Sequence, residues 1–265
     1  MSNIKSVTII NDCNDPNDAG RQLIRASYLF GVHATFVAIK NEIEASGNII
    51  DAIDALDDKP GVIIANVSPR GGKSKKFING SSFGYFWYKN ILVVSSVDGQ
   101  ILSLIKKFAL TKFINVLDTE KTLSILARKG KIKKEQINYI KNSQFRSFDF
   151  EPRIAAFLFK NKNVESKKLL INKIPDAPAI IWWVDNFGNC KTTIFAKELN
   201  LKPGDFVKTK FGKLKYYEHL KDIPDKKLAI ITGSSGLGEN RFLEIVVQGG
   251  SAAKKLGIKS GDKIF

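Results

Sequence analysis

One stretch of seven residues indicates the fold of the N-terminal half, Gly61-Val62-Ile63-Ile64-Ala65-Asn66-Val67. It is short, apolar and rich in β-branched residues, which is the pattern of a β-strand. Similar strand candidates lie at 6–10, 35–39 and 91–94. The intervening stretches carry apolar residues at helical spacing at 19–30, 49–56 and 99–108. Strands that alternate with helices predict an α/β domain with a mainly parallel sheet.

The C-terminal third has a different pattern. Polar residues and two prolines, Pro175 and Pro178, separate it from the first half. Short β-like runs then follow one another, with turn residues between them, at 180–184, 190–195, 206–209, 227–232 and 242–248. The sequence therefore predicts an N-terminal α/β domain at 1–165, a linker at 166–178 and a small C-terminal all-β barrel domain at 179–265.

Composition excludes several classes of site. The chain has 265 residues with a net charge of +16, two histidines and two cysteines. A site of three histidines or an HExxH metalloprotease is excluded, and the cysteines have no zinc spacing, so we expect no metal site. The lysines are scattered apart from one basic run at 128–134, which makes nucleic acid an unlikely partner. Without a signal-like segment or a long apolar run, we expect a cytoplasmic protein.

Four polar or glycine-rich segments can each be interpreted either as a binding site or as an ordinary turn or loop. Segment 68–74 is not a phosphate loop, because Val67 stands where the pattern needs glycine. Segment 233–238 is expected to be a hairpin loop. Asp12 follows the first strand and is suited to accepting the hydroxyls of a ribose, or else belongs to a polar turn. Segment 185–189 contains Phe187, which can stack on a purine, but it fits a tight turn equally well.

Taken in order, these loops resemble the S-adenosyl-L-methionine hydroxide adenosyltransferases, the superfamily that includes the fluorinases and chlorinases. In the first half, 11–14 matches T/S-D-F/L-G, 38–43 matches D-I-T-H-E-I, 67–76 matches V-D-P-G-V-G-x-x-R-R, 93–101 matches F-V-A-P-D-N-G-L-L, and 145–149 matches F-H-G-R-D. In the second half, 184–194 matches V-D-x-F-G-N-x-x-T-N-I and 249–253 matches the G-S-A-A tail. The second group of matches is the more specific.

The resemblance implies a homotrimer that binds a nucleoside between domains of neighbouring subunits. Asp12 would hold the ribose hydroxyls. Phe187 and Asn189 would face the adenine, which the backbone at Val247 and Gly249 would also line. The methionine amino and carboxylate groups would be held by Asp185, Ser234 and Ser235. S-adenosyl-L-methionine would be the substrate, and no further cofactor is implied.

The resemblance also shows where this chain departs from the family. The hydrolases activate water with an aspartate, an arginine and a histidine, and Ser68, Lys75 and Arg146 stand at those positions. Ser147 matches a serine of the fluorinases. These four residues are the catalytic candidates. Two functions follow: a divergent hydrolase that attacks the ribose C5′ and gives adenosine and L-methionine, or a protein that binds S-adenosylmethionine or adenosine without turnover.

Overall fold

The structure is a computed structural model that describes residues 4–68 and 80–265. The chain forms two compact units, Met1–Pro175 and Asp176–Phe265, and each has its own hydrophobic core. Across the described ranges, no helix combines the length and the apolar character that a bilayer span requires.

The first unit is built on a seven-stranded sheet in the order β2-β1-β3-β5-β4-β6-β7. The strands are β1 Ser6–Asn11, β2 Ala34–Ala38, β3 Gly61–Asn66, β4 Phe83–Tyr88, β5 Ile91–Ser96, β6 Phe113–Val116 and β7 Lys167–Leu170. The four strands at one side, β2, β1, β3 and β5, are parallel. The remaining pairs are antiparallel. All the residues of β3 and β5 are buried, as the continuous apolar pattern of central parallel strands requires.

Helices cover the sheet. They are α1 Pro16–Phe30, α2 Glu42–Ala55, α3 Ser103–Lys107, α4 Thr119–Arg128, α5 Gln136–Lys141, α6 Arg146–Asp149 and α7 Glu151–Asn161. Helices α1, α4 and α7 share one core with alternate residues of the strands, such as Val7, Ile9, Val62 and Ile64. Helix α2 packs on β1, β3 and α3. The predicted α/β class is confirmed, and the sheet is mixed, with four adjacent parallel strands and an antiparallel extension.

Capping residues decide where the first two helices begin. Asp15 accepts hydrogen bonds from the backbone N–H groups of Asn17 and Asp18, so α1 begins at Pro16 and not at the predicted Ala19. Asn41 accepts from the next helix in the same way, so α2 begins at Glu42, seven residues before the predicted start. Apolar periodicity alone could not show these polar first turns.

Strands β4, β6 and β7 of the first unit were not predicted from the sequence. Strand β4 joins β5 through a two-residue turn at Lys89 and Asn90, where Lys89 has a φ of 51°. Its sequence, Phe-Gly-Tyr-Phe-Trp-Tyr, has the aromatic content of a strand, which is the signal that could have revealed it. Strand β7 pairs with β6 and lies inside the segment that the sequence analysis assigns to a linker.

The second unit is a curled six-stranded sheet in the order β10-β11-β12-β13-β9-β8, as the predicted β-domain requires. Its elements are β8 Ile181–Val184, β9 Cys190–Phe195, β10 Phe206–Thr209, β11 Gly212–Tyr217, β12 Leu228–Leu237, β13 Asn240–Val247 and helix α8 Ala252–Leu256. The C-terminal residues bond to both edges of the sheet. Ile181 donates to Asp262 O, and Lys210, just after β10, donates to Ile264 O. The tail thus bridges the two edge strands, which favours a barrel-like curl.

The glycine-rich segment 233–238 is not the expected hairpin loop. Residues 233–237 lie in β12, and the register of β12 and β13 shifts between Thr232 and Gly236. The glycines at 233 and 236 therefore lie in an irregular part of the strand, and the turn itself comes at 238–239. The sequence interpretation was wrong because a bulged strand and a loop share the same composition.

Candidate functional site

Four of the family-like segments come together at one edge of the N-terminal sheet. Asp12 follows β1, Glu42 follows β2, Ser68 follows β3, and the turn at 98–100 follows β5. These four strands are parallel and adjacent, so their carboxyl ends meet. Ligands of open α/β sheets bind outside the carboxyl ends of the strands, so this edge is the first place to look for a site.

Asp12 and Ser68 are in direct contact. The backbone N–H of Ser68 donates to both carboxyl oxygens of Asp12 at 3.1 Å, and the Ser68 hydroxyl donates to Oδ1 at 3.2 Å. Both residues are half-buried. The predicted ribose-binding carboxylate and the predicted catalytic hydroxyl therefore belong to one cluster, in which the carboxylate orients the hydroxyl.

The loop that carries Asp12 is fixed by hydrogen bonds of the side chains of Asn11 and Gln22. The buried side chain of Asn11 donates to Gln22 Oε1 at 2.8 Å and accepts from the backbone N–H of Cys13 at 2.8 Å. The Cys13 thiol lies 3.6 Å from the Ser68 hydroxyl. Since Gln22 also donates to Cys13 O, helix α1 fixes the loop at two points. Cys13 is a half-buried member of the cluster that sequence reasoning did not identify.

A second contact joins the loops after β2 and β5. One carboxyl oxygen of Glu42 accepts from the backbone N–H of Gln100 at 2.7 Å. Gly99 has a φ of 64°, and a side chain there would collide with the Glu42 carboxylate. Glu42 lay inside a matched segment but was not singled out. The glycine after Asp98 was the signal, because it permits this close approach.

Arg146 is the second of the predicted catalytic residues that the structure describes, after Ser68. Its guanidinium donates to Ser81 O at 2.6 Å and lies 5.2 Å from the centre of the Phe83 ring. Burial lowers the pKa of Arg146 from its ordinary value, yet a guanidinium stays protonated in proteins. Ser147 follows in α6 and is buried, at 4% exposure. Lys75 lies outside the described residues.

A fully buried carboxyl group lies within electrostatic reach of Arg146. Glu151, the first residue of α7, is 0% exposed, and neither carboxyl oxygen has a hydrogen-bond partner. Burial raises the pKa of Glu151 well above its ordinary value, against a smaller opposing effect of the Arg146 charge and the Ala65 backbone. Nothing in the sequence pattern distinguished this glutamate from a surface residue.

In the second unit, segment 185–189 is a tight turn held by its own aspartate. Asp185 Oδ1 accepts from the backbone N–H groups of Phe187 and Asn189 at 3.0 and 2.9 Å. Asp185 Oδ2 accepts from the Asn189 amide at 3.1 Å. The Phe187 side chain is 72% exposed. The turn therefore presents an aromatic ring to solvent on a fixed backbone.

The G-S-A-A tail packs against this turn. Gly188 has a φ of 83°, and a side chain there would collide with Ser251. Ala253 N donates to Gly188 O at 3.0 Å. Val247 and Gly249 immediately precede Ser251, and Val247 and Gly250 form an isolated bridge. Two matched segments that are far apart in sequence thus form one surface.

Ser234 and Ser235 lie elsewhere in this sheet. The register places them toward the hairpin end of β12, whereas Val247 pairs with Leu228 at the other end. Arg241 holds the backbone there by donating to Ser234 O at 3.0 Å. Ser234 is exposed and Ser235 is buried. No contact between this serine pair and the Asp185 turn occurs in the described part of the chain, so their joint role in holding methionine stays a prediction.

Comparison with known proteins agrees with this description. Residues 179–265 match the family described as SAM hydroxide adenosyltransferase C-terminal domain, which confirms the resemblance drawn from the sequence. An uncharacterized conserved protein from Thermotoga maritima has a similar fold, with a TM-score of 0.68, 18% identity, and coverage of 97% of this chain and 98% of its own. A conserved hypothetical protein from Thermus thermophilus gives a TM-score of 0.58 and 16% identity, over 99% of this chain and 100% of its own. At these identities the likeness concerns the fold alone. No curated protein matches the sequence significantly.

Proposed function

We propose that the protein hydrolyses S-adenosyl-L-methionine to adenosine and L-methionine, because residues 179–265 match the family described as SAM hydroxide adenosyltransferase C-terminal domain. The observation that carries this proposal is the contact of Asp12 with Ser68, at the edge where the family-like segments converge. A carboxylate with a neighbouring hydroxyl, at the carboxyl ends of parallel strands, is suited to binding the hydroxyls of a ribose.

The reaction is a displacement at C5′ of the ribose. The oxygen of water forms a bond to C5′ while the bond from C5′ to the sulfonium sulfur breaks. The electron pair of that bond stays on sulfur and gives the neutral thioether of methionine, and the proton lost by water passes to solvent. Because the sulfonium is already a good leaving group, positioning of the two reactants supplies most of the acceleration.

The residues suit positioning better than proton transfer. Ser68 donates its hydroxyl proton to Asp12, and Arg146 carries a proton that it does not release. Neither can act as the general base, a role that typically contributes about 10²–10⁴-fold. We therefore expect slow turnover. The same observation favours the second candidate function, a nucleoside-binding protein without turnover.

Product analysis tests the proposal directly. Purified protein is incubated with S-adenosyl-L-methionine, and adenosine and methionine are quantified by chromatography against a no-protein control. We expect equimolar adenosine and methionine, with formation lost in Asp12→Ala. If no adenosine appears above the spontaneous background, hydrolysis is rejected and the binding function replaces it.

Binding can be measured separately through the two thiols. Cys13 is half-buried beside Ser68, whereas Cys190 is buried and its pKa is raised to about 12 by that burial, so it resists alkylation. Adenosine bound at Asp12 should slow the alkylation of Cys13 by N-ethylmaleimide, as followed by intact mass. Cys13→Ser is the control for which no labelling is expected. Unchanged labelling at saturating adenosine would reject both candidate functions at this site.

We also propose the homotrimer that the family resemblance implies. Light scattering coupled to gel filtration should give three times the chain mass of 29.5 kDa. A monomeric mass at the concentration used for the product assay would reject this proposal without affecting the nucleoside chemistry.

A further inference from the structure

A cavity of about 960 Å³ opens at the same sheet edge, on the side of β4, β6 and β7. The ends of these strands contribute Ser82, Val116 and Lys167 to its wall, and the first turn of α4 contributes more. This region is the antiparallel extension of the sheet. It is separated from β1 by two other strands, β3 and β5. None of the sequence motifs was assigned to it except Arg146.

The charges of the cavity wall are mostly compensated. Glu120 pairs with Lys141 at 2.6 Å, and Glu165 pairs with Lys121 at 3.3 Å. Asp118 caps α4 by accepting from Lys121 N. Among the described residues of the wall, the cations without an ion pair are Lys167, which is exposed and hydrated, and Arg146, which is half-buried. Arg146 is therefore the wall cation that gains most from an anionic ligand.

Arg146 is held in place by neutral groups. Its Nη2 group donates to the carbonyl of Ser81, and its guanidinium faces the Phe83 ring. No carboxylate of the described residues forms an ion pair with it. A fixed guanidinium with unused N–H donors matches the two oxygens of a carboxylate.

Glu151 follows Arg146 closely in sequence, at the start of α7, and lies outside the cavity wall. It is fully buried and is absent from the residues that line the wall. Charged groups on the elements that pack against α7 include Arg25 of α1 and Arg146 and Asp149 of α6, and α7 itself carries Arg153. Of these, only Arg146 acts on Glu151 electrostatically. When Glu151 holds its proton, the Arg146 charge is left for a ligand, and when Glu151 ionises it compensates that charge internally.

We propose that this cavity is a binding site for a small organic carboxylate, held by Arg146, and that the protonation state of Glu151 sets its affinity. Arg146 contacts the ligand, and Glu151 acts through Arg146 as a positioning residue. Affinity is high while Glu151 is neutral and falls as rising pH removes its proton. Ligand binding here can be measured without turnover of S-adenosyl-L-methionine, because neither Asp12 nor Ser68 lines the cavity, and Arg146 is the one catalytic candidate among the described lining residues.

The probe is butyrate, with butyramide as its neutral counterpart, at constant ionic strength adjusted with chloride. Ligand-observed NMR titrations between about pH 5 and about pH 9 compare the wild type with Glu151→Gln, which is uncharged at every pH. We expect butyrate but not butyramide to bind. The wild-type affinity should fall about tenfold or more across the titration of Glu151, because the guanidinium then has an internal counter-charge. Glu151→Gln should stay at the high affinity throughout.

Two further variants distinguish specific binding in the cavity from nonspecific attraction of butyrate to positive charge. Arg146→Gln should abolish butyrate binding, whereas Lys167→Gln removes a different wall charge and should leave it almost unchanged. Thermal melts establish that each variant is folded, and Arg146→Lys, which keeps the charge without the fork, replaces Arg146→Gln if that variant is unfolded. Equal binding of butyramide, equal losses in the Arg146 and Lys167 variants, or a pH-independent wild type would overturn the proposal. Adenosine protection of Cys13, measured in parallel, shows whether the nucleoside site is intact in each variant.

Discussion

Asp12 and Asp185 each follow a β-strand, but their carboxylates are satisfied in opposite ways. Asp185 bonds to residues two and four positions ahead in its own turn. Asp12 bonds to Ser68, which is 56 residues away in the loop after the neighbouring strand β3. The turn around Asp185 can therefore form from local sequence, whereas the Asp12 cluster exists only when β1 and β3 are paired.

This difference separates stability from ligand binding. A carboxylate that closes its own turn is engaged by backbone donors and has little freedom to accept new partners. A carboxylate that accepts from a hydroxyl and an N–H of a second loop can exchange these partners for ligand hydroxyls. We therefore expect changes in the Asp185 turn to reduce stability, and changes at Asp12 to reduce binding.

The largest effect on stability is expected from Gly188→Ala. The new methyl group meets Ser251 and the backbone has a φ of 83°, so the free energy of unfolding should fall by about 3 kcal/mol. Gly257→Ala is the matched control, with a φ of 65° and open space around the new atom, and should cost about 1 kcal/mol. Urea denaturation measures both. Equal losses would mean that the tail does not restrain the turn.

Next in size is Asp185→Ala. Three donors lose their acceptor, two of them backbone N–H groups, so unfolding should become about 2 kcal/mol easier. Asp185→Asn keeps Oδ1 for the two backbone donors and should cost less than half as much. If both variants were as stable as the wild type in thermal and urea melts, the hydrogen bonds of Asp185 would not stabilise the turn.

A third carboxyl group, Glu151, is fully buried, and the Arg146 charge and the Ala65 backbone offset only part of the effect of that burial, so its contribution to stability depends on pH. Its pKa is raised in the folded state, so between its ordinary and its raised value the folded protein binds more protons than the unfolded chain. Stability contributed by this proton is present at low pH and is lost as pH rises, with a slope of up to about 1.4 kcal/mol per pH unit. Glu151→Gln should remove this component of the slope in denaturation series at several pH values. Parallel curves for the two proteins would contradict it.

The smallest stability effect is expected at Asp12. Because Asp12 and Ser68 are half-exposed, Asp12→Ala should lower the free energy of unfolding by about 1 kcal/mol or less. Adenosine affinity should nevertheless fall about tenfold or more, as measured by protection of Cys13. Ser68→Ala, which leaves the carboxylate in place, should retain most of the affinity. A large loss of stability with unchanged affinity would reverse the roles of the two aspartates.

Much of the fold followed from sequence. Strand β9 begins and ends at the predicted residues, as does β10, because turn residues mark both ends of each strand. Segment 233–238 was misread because glycines serve bulged strands as well as loops. Of the candidate site, Asp12 and Ser68 were named separately, but only the sheet showed their contact. Glu151 could not have been found, since burial of a charged residue at a helix start leaves no periodic signal.

The sequence by itself determined the four adjacent parallel strands and the helices between β1 and β3, and it indicated a tight turn as one of two interpretations of segment 185–189. These depend on apolar spacing and on hydrogen bonds that span four residues or fewer. Only the tertiary structure decided that Ser68 meets Asp12, that Gln100 meets Glu42, and that Glu151 is fully buried. Such contacts require strands distant in sequence to be neighbours in the sheet, and the order of strands in a sheet is fixed by the packing of the whole unit.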